Sequence, residues 1–106
     1  MKNPSGLIPV GRAVLVEPYE AEASVKSKII AIPQSAKERM VMAEQRAVVM
    51  AIGSEAWKDE STPRAAVGDH VMISAYAGMM TEGPLDGKQY RVINAGDIVL
   101  RIIASN

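Results

Sequence analysis

The chain has 106 residues, enough for one domain, and its twelve basic and twelve acidic side chains cancel. That balance argues against a nucleic-acid binder, which carries a basic excess, and the absence of cysteine excludes a disulfide framework and thiolate chemistry. No apolar run is long enough to span a membrane, and Met1-Lys2 leads into Asn3-Pro4-Ser5-Gly6 rather than a signal sequence, so a soluble, cytoplasmic chain is expected.

Taken in order, Ala13-Val14-Leu15-Val16 is a β-branched run between Gly11 and Pro18 and predicts a strand. Tyr19 to Lys28 shows neither helical nor strand period and reads as loop. Within the charged, small-residue stretch Glu20 to Glu38 sits an aliphatic plug, Ile29-Ile30-Ala31-Ile32, stopped by Pro33. The flanks are too polar for a core and the plug is too apolar for water. A polar tether with an apolar tip points to contact with another protein. The competing reading is that Ile29 to Ile32 is an ordinary buried strand. Pro33 holds the residue before it extended, which suits a plug laid along a groove.

Ser35-Ala36-Lys37-Glu38 has capping-box spacing, and Met40 to Arg46 are reasonable helix formers. Against a helix, Val48-Val49-Met50-Ala51-Ile52-Gly53 looks like a buried strand ending in a turn. A strand is assigned to Ala47 to Ile52, with Met40 to Met42 as an extended lead-in. Residues 54–66 read as a surface loop or small hairpin whose one large apolar group is Trp57. Val67-Gly68-Asp69 turns into a strand from His70 to Tyr76, with Val71, Ile73 and Ala75 on one face and His70, Met72, Ser74 and Tyr76 on the other. Leu85-Asp86-Gly87-Lys88 is a hairpin signal, because Asp-Gly suits the positive φ of a tight turn. Gln89 to Asn94 is the return strand, Ala95-Gly96-Asp97 a turn, and Ile98 to Ile103 the last strand. Many short strands between turns predict an all-β barrel.

Other side chains carry weaker signals. His70 is the sole histidine and, without cysteine, a poor basis for a metal site; a strand surface or subunit contact fits it better. Asp69, Asp86 and Asp97 sit in glycine turns, where the turn role outweighs catalysis. Glu17, Glu20 and Glu22 read as a solvated stretch. Met40, Met42, Met79 and Met80 read as gap-filling core residues, the alternative being an adaptable surface. No nucleophile triad, phosphate-cradling loop or carboxylate pair stands out, so no enzyme activity is expected.

The order of these pieces resembles the GroES-type co-chaperonins, the lids of ring-shaped chaperonins. Pro9-Val10-Gly11-Arg12-Ala13-Val14-Leu15-Val16 is similar to the family's first strand, and Ile30-Ala31-Ile32-Pro33-Gln34-Ser35-Ala36-Lys37-Glu38 to its mobile-loop signature. Ala47 to Gly53, Val67-Gly68-Asp69, Tyr76-Ala77-Gly78, Leu85-Asp86-Gly87, Tyr90 and Asp97-Ile98-Val99 follow in the family's order. The chain departs from the pattern in having Arg12-Ala13 for Asp-Arg, Lys28-Ile29 for glycines, Ala31 for a larger aliphatic residue, and a shortened segment 54–66.

The resemblance implies a single small GroES-like β-barrel domain over 1–106, with a long mobile loop at about 18–39 and a short roof hairpin at about 54–66. It implies a homo-oligomeric ring, seven-membered in the family. Mobile loops, here through Ile29, Ile30, Ala31, Ile32 and Pro33, bind the ATP-opened apical domains of a GroEL-type chaperonin, and unfolded client proteins are enclosed beneath. It implies no cofactor of the lid's own, since the chaperonin uses the ATP, and no nucleic-acid or membrane partner. Trp57 and Tyr76 become candidates for roof or dome surfaces. The alternative is a non-enzymatic β-barrel module that uses the loop for some other assembly.

Overall fold

The computed structural model describes residues 3–19 and 45–103. Six strands form one sheet: β1 (Ala13–Pro18), β2 (Arg46–Ile52), β3 (His70–Ile73), β4 (Met79–Glu82), β5 (Gln89–Asn94) and β6 (Ile98–Arg101). Their order across the sheet is β4-β5-β1-β2-β3-β6, with every neighbouring pair antiparallel. A single 3-10 turn, Ala95–Asp97, links β5 to β6, and no α-helix occurs among the described residues. The all-β expectation holds.

The sheet rolls. β5 and β6 lie four strand spacings apart in sheet order, which a flat sheet would set at about 19 Å. They are joined by only three residues, and four steps of extended chain reach about 14 Å at most. Rolling brings Ile93 of β5 and Ile98 of β6 into one buried cluster with Val14, Val16, Val49, Val71 and Ile73. The sequence predicts a barrel, but among the described residues the roll does not close: β4 and β6 remain the two edges of the sheet. β4 is short and its first residue is exposed, so it offers little to pair with.

Two bulges shape the strands. Leu15 pairs with Ala51 and Val16 with Val49, leaving Met50 as the extra residue on β2. Val14, Leu15 and Val16 are all buried in sequence, because both faces of β1 are covered. The pair Val14 and Val16 enters the main cluster, while Leu15 joins Met50 and Tyr90 on the opposite face, with Leu7 and Val92 packed on them. A second bulge leaves Val99 as the extra residue on β6.

Several boundaries differ from the sequence reading. β3 ends at Ile73, because Ser74 to Ala77 closes a turn through the Ala77 N–H to the Ser74 carbonyl at 3.1 Å. Val71 and Ile73 are buried on one face as expected, but Ala75 and Tyr76 have left the strand. β6 ends at Arg101 rather than Ile103, and only its Ile98 is buried. Met79 heads the edge strand β4 and is exposed instead of filling the core. The Asp86-Gly87 pair sits in a six-residue connection, 83–88, closed by Gly83 and Lys88 rather than in a two-residue hairpin turn.

Residues 54–66 contain no strand, so the roof hairpin expected there is absent. Three successive backbone turns wind the chain instead, with N–H groups of Ala56, Lys58 and Glu60 bonded to carbonyls of Gly53, Glu55 and Trp57. Trp57 and Ala65 then pin both ends of this winding against the main cluster.

Candidate functional site

The five residues that the sequence singles out for partner binding, Ile29, Ile30, Ala31, Ile32 and Pro33, lie outside the described residues, as does Met40 to Met42. The structure does define where that segment leaves and rejoins the sheet. It leaves after Tyr19, directly beyond β1, and returns at Gln45, directly before β2.

Both ends are sewn to the sheet. The Tyr19 N–H donates to the Arg46 carbonyl at 3.1 Å, continuing the β1–β2 ladder by one residue past Pro18. The Tyr19 hydroxyl shares a 2.5 Å hydrogen bond with Nδ1 of His70, the first residue of β3 and 51 positions away. The two rings meet edge to face, with centroids 5.6 Å apart. The Arg46 guanidinium lies 5.1 Å from the centre of the Tyr19 ring, within cation–π range. On the return side, Gln45 exchanges bonds with Ile73: its carbonyl accepts the Ile73 N–H at 2.8 Å, and its Nε2 donates to the Ile73 carbonyl at 3.0 Å. The single histidine, expected at a strand surface or subunit contact, is thus engaged within its own chain. Its partner Tyr19 escaped the sequence reading. The available signal was an aromatic residue placed two positions after Glu17, on the face that alternation also gives to His70.

Trp57 does not present a roof surface. Its indole is buried, and Nε1 donates to the Ala95 carbonyl at 2.8 Å. Its φ of 55° is left-handed, a conformation that a bulky residue holds only when its surroundings enforce it. The surface of the 54–66 winding is polar instead. Arg64 pairs with Glu60 and donates from Nη1 to the carbonyls of Gly96 and Ile98, while Arg12 pairs with Asp59 at 3.6 Å.

Tyr76 is the opposite case. It is 60% exposed and also left-handed, with φ of 61°. The turn that displays it is fixed from beneath: buried Arg91 donates from Nε to the Ala77 carbonyl at 2.7 Å. Gly78 follows with φ of 72°, and a Cβ there would collide with the Val92 carbonyl. A rigid turn therefore holds an aromatic ring in solvent, three residues from exposed Met79.

The connection 83–88 has its own lock. Buried Tyr90 donates its hydroxyl to Asp86 at 2.5 Å, and Asp86 also accepts the Lys88 N–H at 3.1 Å. The Tyr90 bond holds the Asp86 carboxyl below its ordinary range, and burial next to that carboxylate pushes the Tyr90 phenol up. The N-terminal strap docks on this lock, through the Leu85 N–H to the carbonyl of buried Ser5 at 3.0 Å.

Exposed apolar side chains concentrate in two places besides Tyr76. Ile8 and Val10, in the extended chain before β1, are 83% and 76% exposed. Val99, Leu100 and Ile103, on or just beyond the edge strand β6, are exposed as well. Among the described residues no group of three or more His, Asp and Glu side chains could hold a metal ion, and no helix is long and apolar enough to cross a membrane.

A rolled all-β domain whose first two strands are joined by the 25-residue segment 20–44 is thus the class of protein that the described residues define. The family model described as Chaperonin 10 Kd subunit matches residues 6–102. Similar proteins include the co-chaperonin GroES of Alkaliphilus metalliredigens, 40% identical over 91 residues that cover 86% of this chain and 92% of that one. The co-chaperonin GroES of Thermotoga neapolitana is 36% identical over 96 residues, covering 91% and 95%. That of Coprothermobacter proteolyticus is 38% identical over 94 residues, covering 86% and 89%. The chain belongs to the chaperonin 10 Kd subunit family, the family of the GroES co-chaperonins.

Proposed function

We propose that this protein is a co-chaperonin lid: a homo-oligomeric ring, seven-membered, that binds the ATP-opened apical domains of a GroEL-type chaperonin in the cytoplasm and encloses client proteins while they fold. It acts by binding and does no chemistry; the ATP belongs to the chaperonin. The observation that carries this reading is family membership across residues 6–102, a span that takes in the Ile29 to Pro33 plug.

Ring formation draws support from the exposed edges. A chain of this size has little interior, with a core that lacks Phe entirely. It nevertheless leaves Ile8, Val10, Val99, Leu100 and Ile103 in solvent. An extended segment and an open strand edge, both apolar, are the materials from which neighbouring copies build a joint sheet.

The loop mechanism follows from magnitudes. Burying one Ile side chain is worth about 1.5–3 kcal/mol, so Ile30 and Ile32, with Ile29 next, contribute several kcal/mol at most. Ordering a tether costs on the order of 1 kcal/mol per residue fixed. One plug therefore binds weakly. Several on one ring bind tightly, because each contact after the first is intramolecular. Closure is then firm, yet a modest change in the chaperonin groove releases it.

The test is ATP-dependent association with a GroEL-type chaperonin, read by co-sedimentation and by slowing of the chaperonin ATPase. Association that needs ATP is expected. Exchanging Ile30→Ser and Ile32→Ser abolishes it while the native mass of the lid stays the same. Absence of any ATP-dependent association overturns the reading in favour of an assembly module of another kind.

A further inference from the structure

The geometry points to Tyr19 and His70 as positioning residues for the binding segment: their hydrogen bond fixes the direction in which the segment leaves the sheet and so sets how well the plug reaches its groove. This inference rests on the proposed function.

The observation behind it is a contact with no evident need in the fold. Neither side chain belongs to the buried clusters; both rings are half-exposed. Yet the Tyr19 hydroxyl bridges from beyond the end of β1, past β2, to Nδ1 of His70 on β3. Tyr19 is also the last described residue before the segment and Gln45 the first after it. Arg46 on β2 covers the same ring at 5.1 Å, and its carbonyl takes the Tyr19 N–H. Three strands thus converge on one side chain at the point of exit. Gln45 is held to Ile73 in two places, so the return point is fixed as firmly.

Such a root matters because the plug lies about a dozen residues from Tyr19. A fixed direction of exit at Tyr19 favours one approach to the groove and so raises the effective concentration of the plug there. The gain is compounded across the ring. A loss of only about 1.4-fold at each root multiplies to about tenfold over seven loops. A small local contact can therefore have a large collective effect.

The experiment compares the wild-type ring with Tyr19→Phe, His70→Phe, the double variant, and His70→Asn, whose amide can meet the phenol where Nδ1 stood. Each is measured for affinity toward the ATP-loaded chaperonin, native mass and melting temperature. Both single Phe variants are expected to bind about tenfold or more weakly, with ring mass and melting temperature kept. The double variant binds no worse than either single one, because one hydrogen bond is lost in all three. His70→Asn recovers most of the affinity. Unchanged affinity in the Phe variants overturns the inference. So does a loss that appears only together with a fall in melting temperature or ring mass, and so does additivity of the two substitutions. If the wild-type ring itself fails to bind, the proposed function fails first and takes this inference with it.

Discussion

The indole of Trp57 and the carbonyl of Ala95 are joined by a 2.8 Å hydrogen bond across 38 residues. It ties the 54–66 winding to the 3-10 turn that carries the chain from β5 to β6. The same turn is held by the Ala95 N–H on the Arg12 carbonyl and by the Ser74 N–H on the Asp97 carbonyl. Four separate segments therefore meet where the sheet rolls over, and Trp57 fills the space between them.

Replacing Trp57 by Ala should cost about 3–5 kcal/mol, the range for large aromatic residues in cores. Trp57→Phe should cost less, about 1 kcal/mol for the indole hydrogen bond, because the Ala95 carbonyl still accepts the Ile98 N–H. Chemical denaturation checks both. A Trp57→Ala protein as stable as wild type would mean the side chain is a surface group after all.

The lock between Asp86 and Tyr90 should make stability depend on pH at both ends. Asp86 has a depressed folded pKa, so its contribution is present above the ordinary carboxylate range and disappears as pH falls through the folded value. Tyr90 has a raised one, so its contribution is complete below about pH 10 and declines as pH climbs beyond it. Tyr90→Phe should flatten both limbs of the curve of melting temperature against pH, and Asp86→Asn should flatten the acid limb. Limbs that keep their slope in Tyr90→Phe would show that the pair does not set them.

Gly78 should accept no side chain. Its φ is positive and a Cβ would strike the Val92 carbonyl of the neighbouring strand. Gly78→Ala should destabilise by about 2–4 kcal/mol and loosen the turn that displays Tyr76, visible as faster amide exchange at residues 75–78. Retained stability and exchange would remove the case for a rigid display.

Much of this fold can be read from the chain because short β-branched runs lie between glycine turns. The turns near 53, 68, 78 and 96 separate the strands, and Val71 and Ile73 against His70 and Met72 announce the two faces of β3, whereas Val14-Leu15-Val16 is apolar and buried throughout. What escapes the sequence is long-range. Nothing local says that Trp57 will turn inward instead of crowning a hairpin, because its partner is a backbone carbonyl 38 residues later. The same holds for Tyr19, whose partner is 51 residues away. Strand ends are also misjudged where an apolar run outlasts its burial, as at Ile103 beyond β6. For the binding segment the sequence alone carries the assignment of Ile29 to Pro33.

The exposed edges make a prediction of their own. Val99→Lys with Ile103→Lys should leave the chain folded, with an unchanged β-sheet signal in circular dichroism, because both side chains lie in solvent within the single copy. Placed in an apolar contact between copies, the added charges should dissociate the ring by at least a hundredfold in concentration. An assembly indifferent to both lysines would place the contact elsewhere.

The native mass of the free protein, measured at the concentration at which it associates with a chaperonin, bears most directly on the whole account. Plugs too weak to act alone require a ring, and seven copies of an 11.4 kDa chain give about 80 kDa. A mass near that value is the expected result. A solitary 11.4 kDa species under those conditions would contradict it.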